Sequence, residues 1–279
     1  MTERTRGRTF MAEGKFKVAA VQMVSEPEVQ ANLAVAGELI AQAAGEGAQL
    51  VALPEYFCIL GLRERDKVTV REAYGHGPIQ DFLAAAAARN KVWLVGGSAP
   101  LACADPDKVR NTCLVFDDSG RRVARYDKIH LFGFDLGTER FQESRSIEPG
   151  TEVVTLDTPY ARLGLSICYD LRFPELYRKM GTVDLILVPS SFTATTGKDH
   201  WEMLLRARAV ENQAYVLAPA QGGHHKNGRD TWGHSMIIDP WGKVLAELAR
   251  GPGVITAELD HAEIARVRLS LPALTHRVM

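Results

Sequence analysis

Cysteine is scarce in this chain, and the few that occur are spaced in a way that excludes two classes of protein. Only 4 of the 279 residues are cysteine, namely Cys58, Cys103, Cys113 and Cys168. None stands in the CxxC or CxxH spacing of a structural zinc site, so we expect no metal. Few, scattered cysteines in a chain of this length are typical of a reducing compartment and do not indicate a disulfide scaffold. We therefore expect a cytoplasmic protein.

An excess of one charge and a long apolar run are also lacking. The formal net charge is -1, which gives no general attraction to nucleic acid or to an anionic membrane. No segment approaches the roughly 20 apolar residues that a membrane-spanning helix needs. The phosphate-binding loop and the dinucleotide fingerprint are absent as well, so we predict no cofactor. With 46% hydrophobic and 24% charged residues, the composition is that of an ordinary globular protein.

The N-terminal residues are polar and basic, and they lack the apolar core of a signal peptide. We expect residues 1–14 to form a disordered tail, with Met11 as an alternative start. No linker rich in Pro, Gly or Ser divides the remainder. Residues 15–279 are therefore expected to form a single domain.

Apolar strands alternate with helical segments along the chain, and hairpins lie between them. A β-branched run at Lys15–Met23 predicts the first strand, and a second helical pattern begins at Pro78. A capping box formed by Asp199 and Glu202 predicts the start of the main helix of the second half. This alternation favours an α/β fold with mixed sheets. The polar stretch 129–150 is too long for a simple connector and is expected to be functional.

Cys168 ends the apolar segment GLSIC and is followed at once by a charged cluster. In parallel α/β sheets such strand ends face the ligand crevice. A thiol there becomes a nucleophile if a base takes its proton, but most free cysteines are simply buried small side chains. Both interpretations of Cys168 stay open on its position alone. For Cys58, Cys103 and Cys113 we expect a packing role.

Two further strand ends carry residues that could act on a thiol. Glu55 follows the apolar strand QLVALP, where a desolvated carboxylate would have a raised pKa suited to proton transfer. Lys128 ends the second strand of a predicted hairpin, where an ammonium could stabilise an oxyanion. The alternatives are a cap or salt bridge for Glu55 and a solvated side chain for Lys128. We expect a packed or hydrogen-bonded His130 and an exposed, mobile loop at His224–His225.

These residues, taken in order, resemble the catalytic residues of the nitrilase superfamily of carbon–nitrogen hydrolases. The matching segments are FKVAAVQM, LVALPEYF, RYDKIHLF and GLSICYDLRFPELYR, and the resemblance extends from Phe16 to the C-terminus. It implies a four-layer α–β–β–α sandwich and a catalytic triad of Glu55, Lys128 and Cys168. It also implies a supporting role for Glu143, an oxyanion-binding backbone N–H at Tyr169, and a homodimer or larger assembly.

The C-terminal half is similar to the branch of amidases that hydrolyse deaminated glutathione, in the segments TGKDHWEMLLRARAVENQAYVLAPAQGGHH and GHSMIIDPWGKVLAE. The resemblance implies a thioester mechanism that releases 2-oxoglutarate and Cys-Gly. An omega-amidase, another small-amide or carbamoyl hydrolase, and a catalytically silent scaffold are the alternatives. One departure is Gly133, which stands where these relatives have an acid.

The expected partner is a small amide that carries a carboxylate or α-keto acid. Arg172 is the candidate for binding that carboxylate, because a guanidinium fork matches a carboxylate. A structural ion pair with Asp170 or Glu175 is the alternative. Tyr56, Phe192 and Thr193 are expected to line the pocket.

Overall fold

The structure is a computed structural model that describes residues 14–135, 137 and 140–278. The tail expected at residues 1–14, with Met11, therefore lies outside the described residues except for Gly14. The helices are α1 (Val29–Gly45), α2 (Asp66–Thr69), α3 (Pro78–Asn90), α4 (Pro174–Lys179), α5 (Ala194–Asn212) and α6 (His261–Ser270). Short 3-10 helices occupy Glu143–Arg145, Cys168–Arg172 and Ala273–His276.

The strands form two large sheets and one small hairpin. The first sheet contains β1 (Lys15–Gln22), β2 (Leu50–Ala52), β3 (Trp93–Val95), β4 (Ala99–Ala102), β5 (Val109–Phe116), β6 (Arg122–Asp127) and β15 (Gly253–Asp260). The second contains β9 (Thr155–Asp157), β10 (Arg162–Leu165), β11 (Leu185–Leu187), β12 (Tyr215–Ala218), β13 (Ser235–Ile238) and β14 (Val244–Leu248). The hairpin is β7 (Gly133–Asp135) with β8 (Arg140–Gln142).

Each sheet has a parallel centre and antiparallel flanks. In the first sheet, β1, β2 and β3 run parallel, and β15 pairs antiparallel with β1 along its whole length. In the second, β10, β11 and β12 run parallel. The strands β2 and β10 therefore lie inside parallel regions, and the segments that follow them leave from the carboxyl ends, where ligands bind in such sheets.

The two faces of the first sheet contact different layers. Successive side chains of a strand point to opposite faces. Along β1, Val18 and Ala20 pack with Leu163 and other residues of the second sheet, whereas Ala19 and Val21 pack with α1 and α3. Helix α5 covers the outer face of the second sheet through Trp201, Leu205 and Ala209. The layers are thus helix, sheet, sheet and helix, which confirms the expected four-layer sandwich.

Some local predictions were wrong. Helix α5 begins at Ala194, not near Asp199, because the hydroxyl of Thr193 caps it by accepting a hydrogen bond from the backbone N–H of Thr196. Gly197 is accommodated inside the helix, where a Cβ would lie 2.4 Å from the Trp232 side chain. The stretch 129–150 contains β7, β8 and a 3-10 helix. The first strand ends at Gln22, one residue earlier than predicted.

Candidate active site

Three turns bring Glu55, Lys128 and Cys168 to one place. Glu55 follows β2, Lys128 directly follows β6, and Cys168 begins the 3-10 helix after β10. Cys168 has a backbone φ of 48°, a left-handed conformation that costs a non-glycine residue free energy and is concentrated at functional sites. Tyr56, beside Glu55, has a φ of 57°. The strand ends therefore turn sharply at the point where these side chains meet.

Lys128 lies between two carboxylates at the bottom of the site. Its Nζ is 2.8 Å from Oε1 of Glu55 and 3.0 and 2.9 Å from the two carboxylate oxygens of Glu143. The side chains of Lys128 and Glu55 are almost completely buried. Two carboxylates and one ammonium carry a net negative charge. Burying that charge is costly, which favours protonation of one carboxylate.

The pKa directions identify which carboxylate gains the proton more readily. Burial raises the pKa of Glu55, and although Lys128 opposes this, the charge of Glu143 adds to it. Burial also acts to raise the pKa of Glu143, but Lys128, Lys67 and the backbone N–H of Phe132 lower it below its ordinary value. The surroundings therefore favour the ionised form of Glu143 beside Lys128 and make Glu55 the carboxyl group that more readily takes a proton.

The lysine stays charged and the thiol stays neutral in the resting site. Burial acts to lower the pKa of Lys128, but Glu143 and Glu55 raise it well above its ordinary value. Burial and the Glu55 charge raise the pKa of the Cys168 thiol well above its ordinary value, although Lys128 opposes them. The thiol lies within hydrogen-bond reach of both Glu55 and the backbone N–H of Ser191. A proton can thus pass from the thiol to Glu55.

Several side chains hold the carboxylates, and two of these were not predicted from sequence. The amide of Asn111 donates to Oε1 of Glu55 at 2.8 Å, and Gln221 donates to the Glu55 backbone carbonyl at 3.1 Å. Neither amide carries a motif that a single sequence would reveal. The hydroxyl of Tyr56 donates to Glu143 at 2.8 Å, and the N–H of Phe132 donates at 2.7 Å. Tyr56 is thus both a lining residue and a support for Glu143.

The triad opens into a cleft that contains every other residue predicted for the site. Its lining includes Glu55, Tyr56, Glu143, Cys168, Tyr169, Arg172, Phe192 and Thr193 from the prediction. It also includes Glu64, Lys67, Phe132, Phe141, Gln142, Ser191, Thr196, Arg229, Asp230 and Thr231, which were not singled out. Lys128 lies beneath this surface. Aromatic walls with a few polar groups are typical of small-molecule sites.

Arg172 faces the cleft without a carboxylate partner among the described residues. Its guanidinium lies 3.3 Å from Nδ1 of His200 and over the rings of Tyr169 and Phe192, at 5.7 and 5.3 Å from their centroids. The carboxylate of Asp170, the alternative partner, accepts instead from Tyr126 and from the backbone and ring of His130. The alternative of an ion pair with Asp170 or Glu175 is therefore wrong.

The histidine and cysteine predictions have mixed outcomes. His130 is hydrogen-bonded to Asp170 at 2.7 Å and stacks on Phe173, as expected. His225 is buried and bonds to Ser25 and Thr231, so the exposed loop predicted for it is wrong. Its neighbour His224 is exposed.

The packing expected for the other cysteines is confirmed for Cys58 and Cys113, which lie in the two hydrophobic clusters. Cys103 is only half-buried. Gly133 is exposed and does not line the cleft, unlike its neighbour Phe132. Residues 14–135, 137 and 140–278 contain no group of three His, Cys, Asp or Glu side chains that could hold a metal ion. Nor does any helix among them have the length and apolar character to cross a membrane.

Comparison with known proteins agrees with this geometry. The model of the family described as "Carbon-nitrogen hydrolase" matches residues 17–269. A deaminated glutathione amidase of Synechocystis sp. is 43% identical over 269 residues, which are 94% of this chain and 98% of that protein. An omega-amidase of Xenopus laevis is 39% identical over 94% of this chain and 95% of its own.

Among solved structures, Saccharomyces cerevisiae Nit3, described as a member of branch 10 of the nitrilase superfamily, superposes with a TM-score of 0.84. It is 34% identical and covers 95% of this chain and 97% of its own. The family match and the fold thus confirm the resemblance noted in the sequence. The chain belongs to the carbon–nitrogen hydrolase family of the nitrilase superfamily.

Proposed function

We propose that this hydrolase is an amidase in which Cys168 is the nucleophile, Glu55 the proton carrier and Lys128 the oxyanion-binding cation. The observation that carries the proposal is the buried contact of Lys128 with both Glu55 and Glu143 beside the Cys168 thiol. Glu143 neutralises the lysine, and this leaves Glu55 as the base. A silent scaffold would not need such a costly buried arrangement.

In the first half-reaction, the thiol of Cys168 is deprotonated and its sulfur attacks the carbonyl carbon of the substrate. Glu55 takes the Cys168 proton as the sulfur forms a bond to the amide carbon. The ammonium of Lys128 and the backbone N–H of Tyr169 stabilise the negative oxygen that develops. Glu55 then gives the proton to the amide nitrogen, the carbon–nitrogen bond breaks, and an amine leaves a thioester on Cys168.

In the second half-reaction, water replaces the amine. Glu55 removes a proton from a water molecule as the water oxygen attacks the thioester carbon. The carbon–sulfur bond then breaks, the carboxylic acid is released, and the proton on Glu55 returns to the sulfur. Glu143 takes no proton in either half, since Lys128 holds it ionised. It is a positioning residue that keeps the ammonium in place.

We propose deaminated glutathione as the substrate, with 2-oxoglutarate and Cys-Gly as products. The 43% identity to an amidase named for this substrate supports the assignment. The guanidinium of Arg172 is suited to the 2-oxo-acid carboxylate, because it faces the cleft between two aromatic rings. Phe192 and Thr193 would then border the acyl part of the substrate. The specificity of an omega-amidase, supported by the Xenopus laevis relative, is the second candidate.

Replacing the nucleophile tests the mechanism. Cys168→Ala should lower kcat on deaminated glutathione by about four orders of magnitude or more, because the remaining groups cannot form the thioester. The variant should unfold at the same temperature as the wild type. A stoichiometric thioester, detected by mass spectrometry of the acid-quenched wild type and absent from the variant, would support the covalent step. Comparable turnover by the variant would refute it.

Replacing Arg172 tests the acyl-side carboxylate. Arg172→Lys keeps the charge but loses the fork, so KM for 2-oxo-acid amides should rise roughly tenfold with an unchanged melting temperature. A fall in melting temperature with unchanged KM would show a structural role instead. Steady-state kinetics on deaminated glutathione and 2-oxoglutaramate give KM, and thermal denaturation gives the melting temperature.

We further propose that the enzyme acts in the cytosol as a homodimer, and that residues 15–279 fold as one hydrolase domain. Free thiols at all four cysteines, including the proposed nucleophile, suit a reducing compartment. The outer face of α5 and the adjoining turn after β13 expose Met203, Val210 and Trp241. These apolar side chains suit contact with the same surface of a second copy.

A further inference from the structure

A second, smaller cleft adjoins the main one and shares part of its wall. We call it the annex; it is lined by Tyr56, Ile59, Leu60, Gly61, Arg63, Glu64, Lys67 and Arg229. Tyr56, Glu64, Lys67 and Arg229 line both spaces. The annex therefore adjoins the main cleft, and a molecule bound at Cys168 would reach it by passing these shared side chains.

The charges that line the annex favour an anion. The annex lining carries three cations, Arg63, Lys67 and Arg229, and one carboxylate, Glu64, while Lys67 also interacts with Glu143 of the main cleft. Glu64 already accepts from Lys67 at 3.0 Å and pairs with Arg229. It thus holds two of the cations in place but cannot neutralise all three. A local excess of cations lined by apolar side chains attracts and orients a carboxylate.

The loops that carry these cations are fixed, so the annex has a defined shape. The guanidinium of Arg229 lies over the Phe141 ring at 4.9 Å, and Asn227 donates to the carbonyl of Gly61 at 2.8 Å. Lys67 Nζ lies 5.3 Å from the centroid of the Tyr56 ring. Because these groups are held before any ligand arrives, little ordering opposes binding.

The position of the annex indicates which part of a substrate would enter it. The leaving nitrogen must lie within reach of Glu55, which protonates it, and the annex opens at Tyr56, the next residue. Arg172 lies instead on the turn that carries Cys168 and Tyr169. We propose that the annex binds the carboxylate of the leaving group, so that the enzyme prefers amides whose departing amine carries a carboxylate. The proposal rests on the proposed function, and it narrows the substrate class.

An unsubstituted amide releases ammonia, which cannot reach the annex, whereas deaminated glutathione releases a dipeptide with a terminal carboxylate. A carboxylate site in the annex would therefore distinguish deaminated glutathione from 2-oxoglutaramate. The annex cations should affect deaminated glutathione more strongly than 2-oxoglutaramate.

The test compares three substrates: deaminated glutathione, its C-terminal carboxamide, and 2-oxoglutaramate. The wild type should have a kcat/KM for the acid about five- to tenfold above that for the carboxamide, as one partly exposed ion pair would give. Arg229→Gln should raise KM for the acid about five- to tenfold more than KM for the carboxamide or for 2-oxoglutaramate. Arg65→Gln, which breaks an exposed pair with Asp107 outside the annex, is the matched control and should change nothing.

Equal effects of Arg229→Gln on all three substrates, or equal wild-type rates on acid and carboxamide, would overturn the annex proposal and leave the proposed amidase function standing. If the wild type hydrolyses none of the three substrates, both the annex proposal and the proposed amidase function are overturned.

Discussion

Glu55 and Glu143 contact the same ammonium group, but their surroundings give them different chemistry. Glu143 accepts from Tyr56, Lys128 and the backbone of Phe132, and every one of these contacts favours its charged form. Glu55 receives donors from Lys128 and Asn111, but it is more deeply buried and is repelled by Glu143. Two chemically similar carboxyl groups are thereby separated into a counterion and a base.

This separation predicts how activity depends on pH. The reaction needs ionised Glu55, so kcat/KM should fall as the pH drops through the pKa of Glu55. Burial and the Glu143 charge hold that pKa above its ordinary value of 4.5, against the opposing effect of Lys128. Glu143→Gln removes the repelling charge and should move the acid limb of the kcat/KM profile to lower pH. It should also lower kcat about ten- to a hundredfold, because Lys128 is less firmly held.

A profile between pH 4 and 8 for both proteins checks this prediction. The direction of the shift is the informative part, since a general loss of stability in Glu143→Gln would move the acid limb to higher pH. A limb that stays in place, or that moves to higher pH while the melting temperature is unchanged, would contradict the assignment of Glu55 as the base. Melting temperatures measured across the same range provide the control.

Sequence alone identified the residues whose side-chain chemistry is distinctive and missed those that act through ordinary amides. A carboxylate, a lysine and a thiol at strand ends are unusual enough to be noticed at Glu55, Lys128 and Cys168. Asn111 lies inside a strand, and the contribution of Ser191 comes from its backbone, which every residue possesses. Only the tertiary structure shows that these groups reach the site.

The turn that bears Cys168 is held by a helix of the outer layer. Arg208, on α5, is almost completely buried and donates to the carbonyl of Leu171 from Nε at 3.0 Å and from Nη2 at 2.8 Å. It also pairs with Glu211 at 2.7 Å. Helix α5 therefore does more than cover the sheet, because it fixes the short 3-10 helix on which the thiol lies.

We predict that Arg208→Lys lowers the free energy of unfolding by about 2 kcal/mol, since an ammonium cannot make both bonds to the Leu171 carbonyl. Arg206→Lys, on the exposed side of the same helix, is the matched control and should change it by less than about 0.5 kcal/mol. Urea denaturation followed by circular dichroism gives both values. Equal effects of the two variants would show that the Leu171 contact does not stabilise the turn.

Of the two predicted helix starts, the one at Pro78 is confirmed and the one at Asp199 is wrong. Asp199 and Glu202 have the spacing of a capping box, but both lie inside α5. Away from the N-terminus of a helix, such a pair is only two polar side chains on the helix surface. The actual cap, Thr193, was assigned to the pocket instead, and it stands in both places. Gly197 lies inside the first part of the helix, where the Trp232 side chain leaves no space for a Cβ.

At the scale of the whole molecule, the site lies where the two sheets are joined. Met23, directly after β1, forms a bridge with Gln221, which follows β12 of the second sheet. The carbonyl of Met23 accepts from the N–H of Gly222 at 2.8 Å. Gln221 in turn donates to the backbone of Glu55. Alternation of strands and helices predicted an α/β fold, and the family resemblance implied the four-layer sandwich. The pairing of β1 with β15 joins distant segments and was not predicted.

The face of the second helical layer is the surface through which we expect two copies to associate. Met203 and Val210 lie two turns apart on α5 and are 62% and 48% exposed, and Trp241, 55% exposed, lies on the turn whose Gly242 approaches Val210. A buried glutamate here would be desolvated opposite its own symmetry copy. Met203→Glu should therefore convert the dimer to monomer at micromolar concentration, as measured by sedimentation velocity. Val35→Glu, on α1 in the opposite helical layer, should leave the dimer intact. A dimer that survives Met203→Glu, or that dissociates in Val35→Glu, would place the interface on another surface.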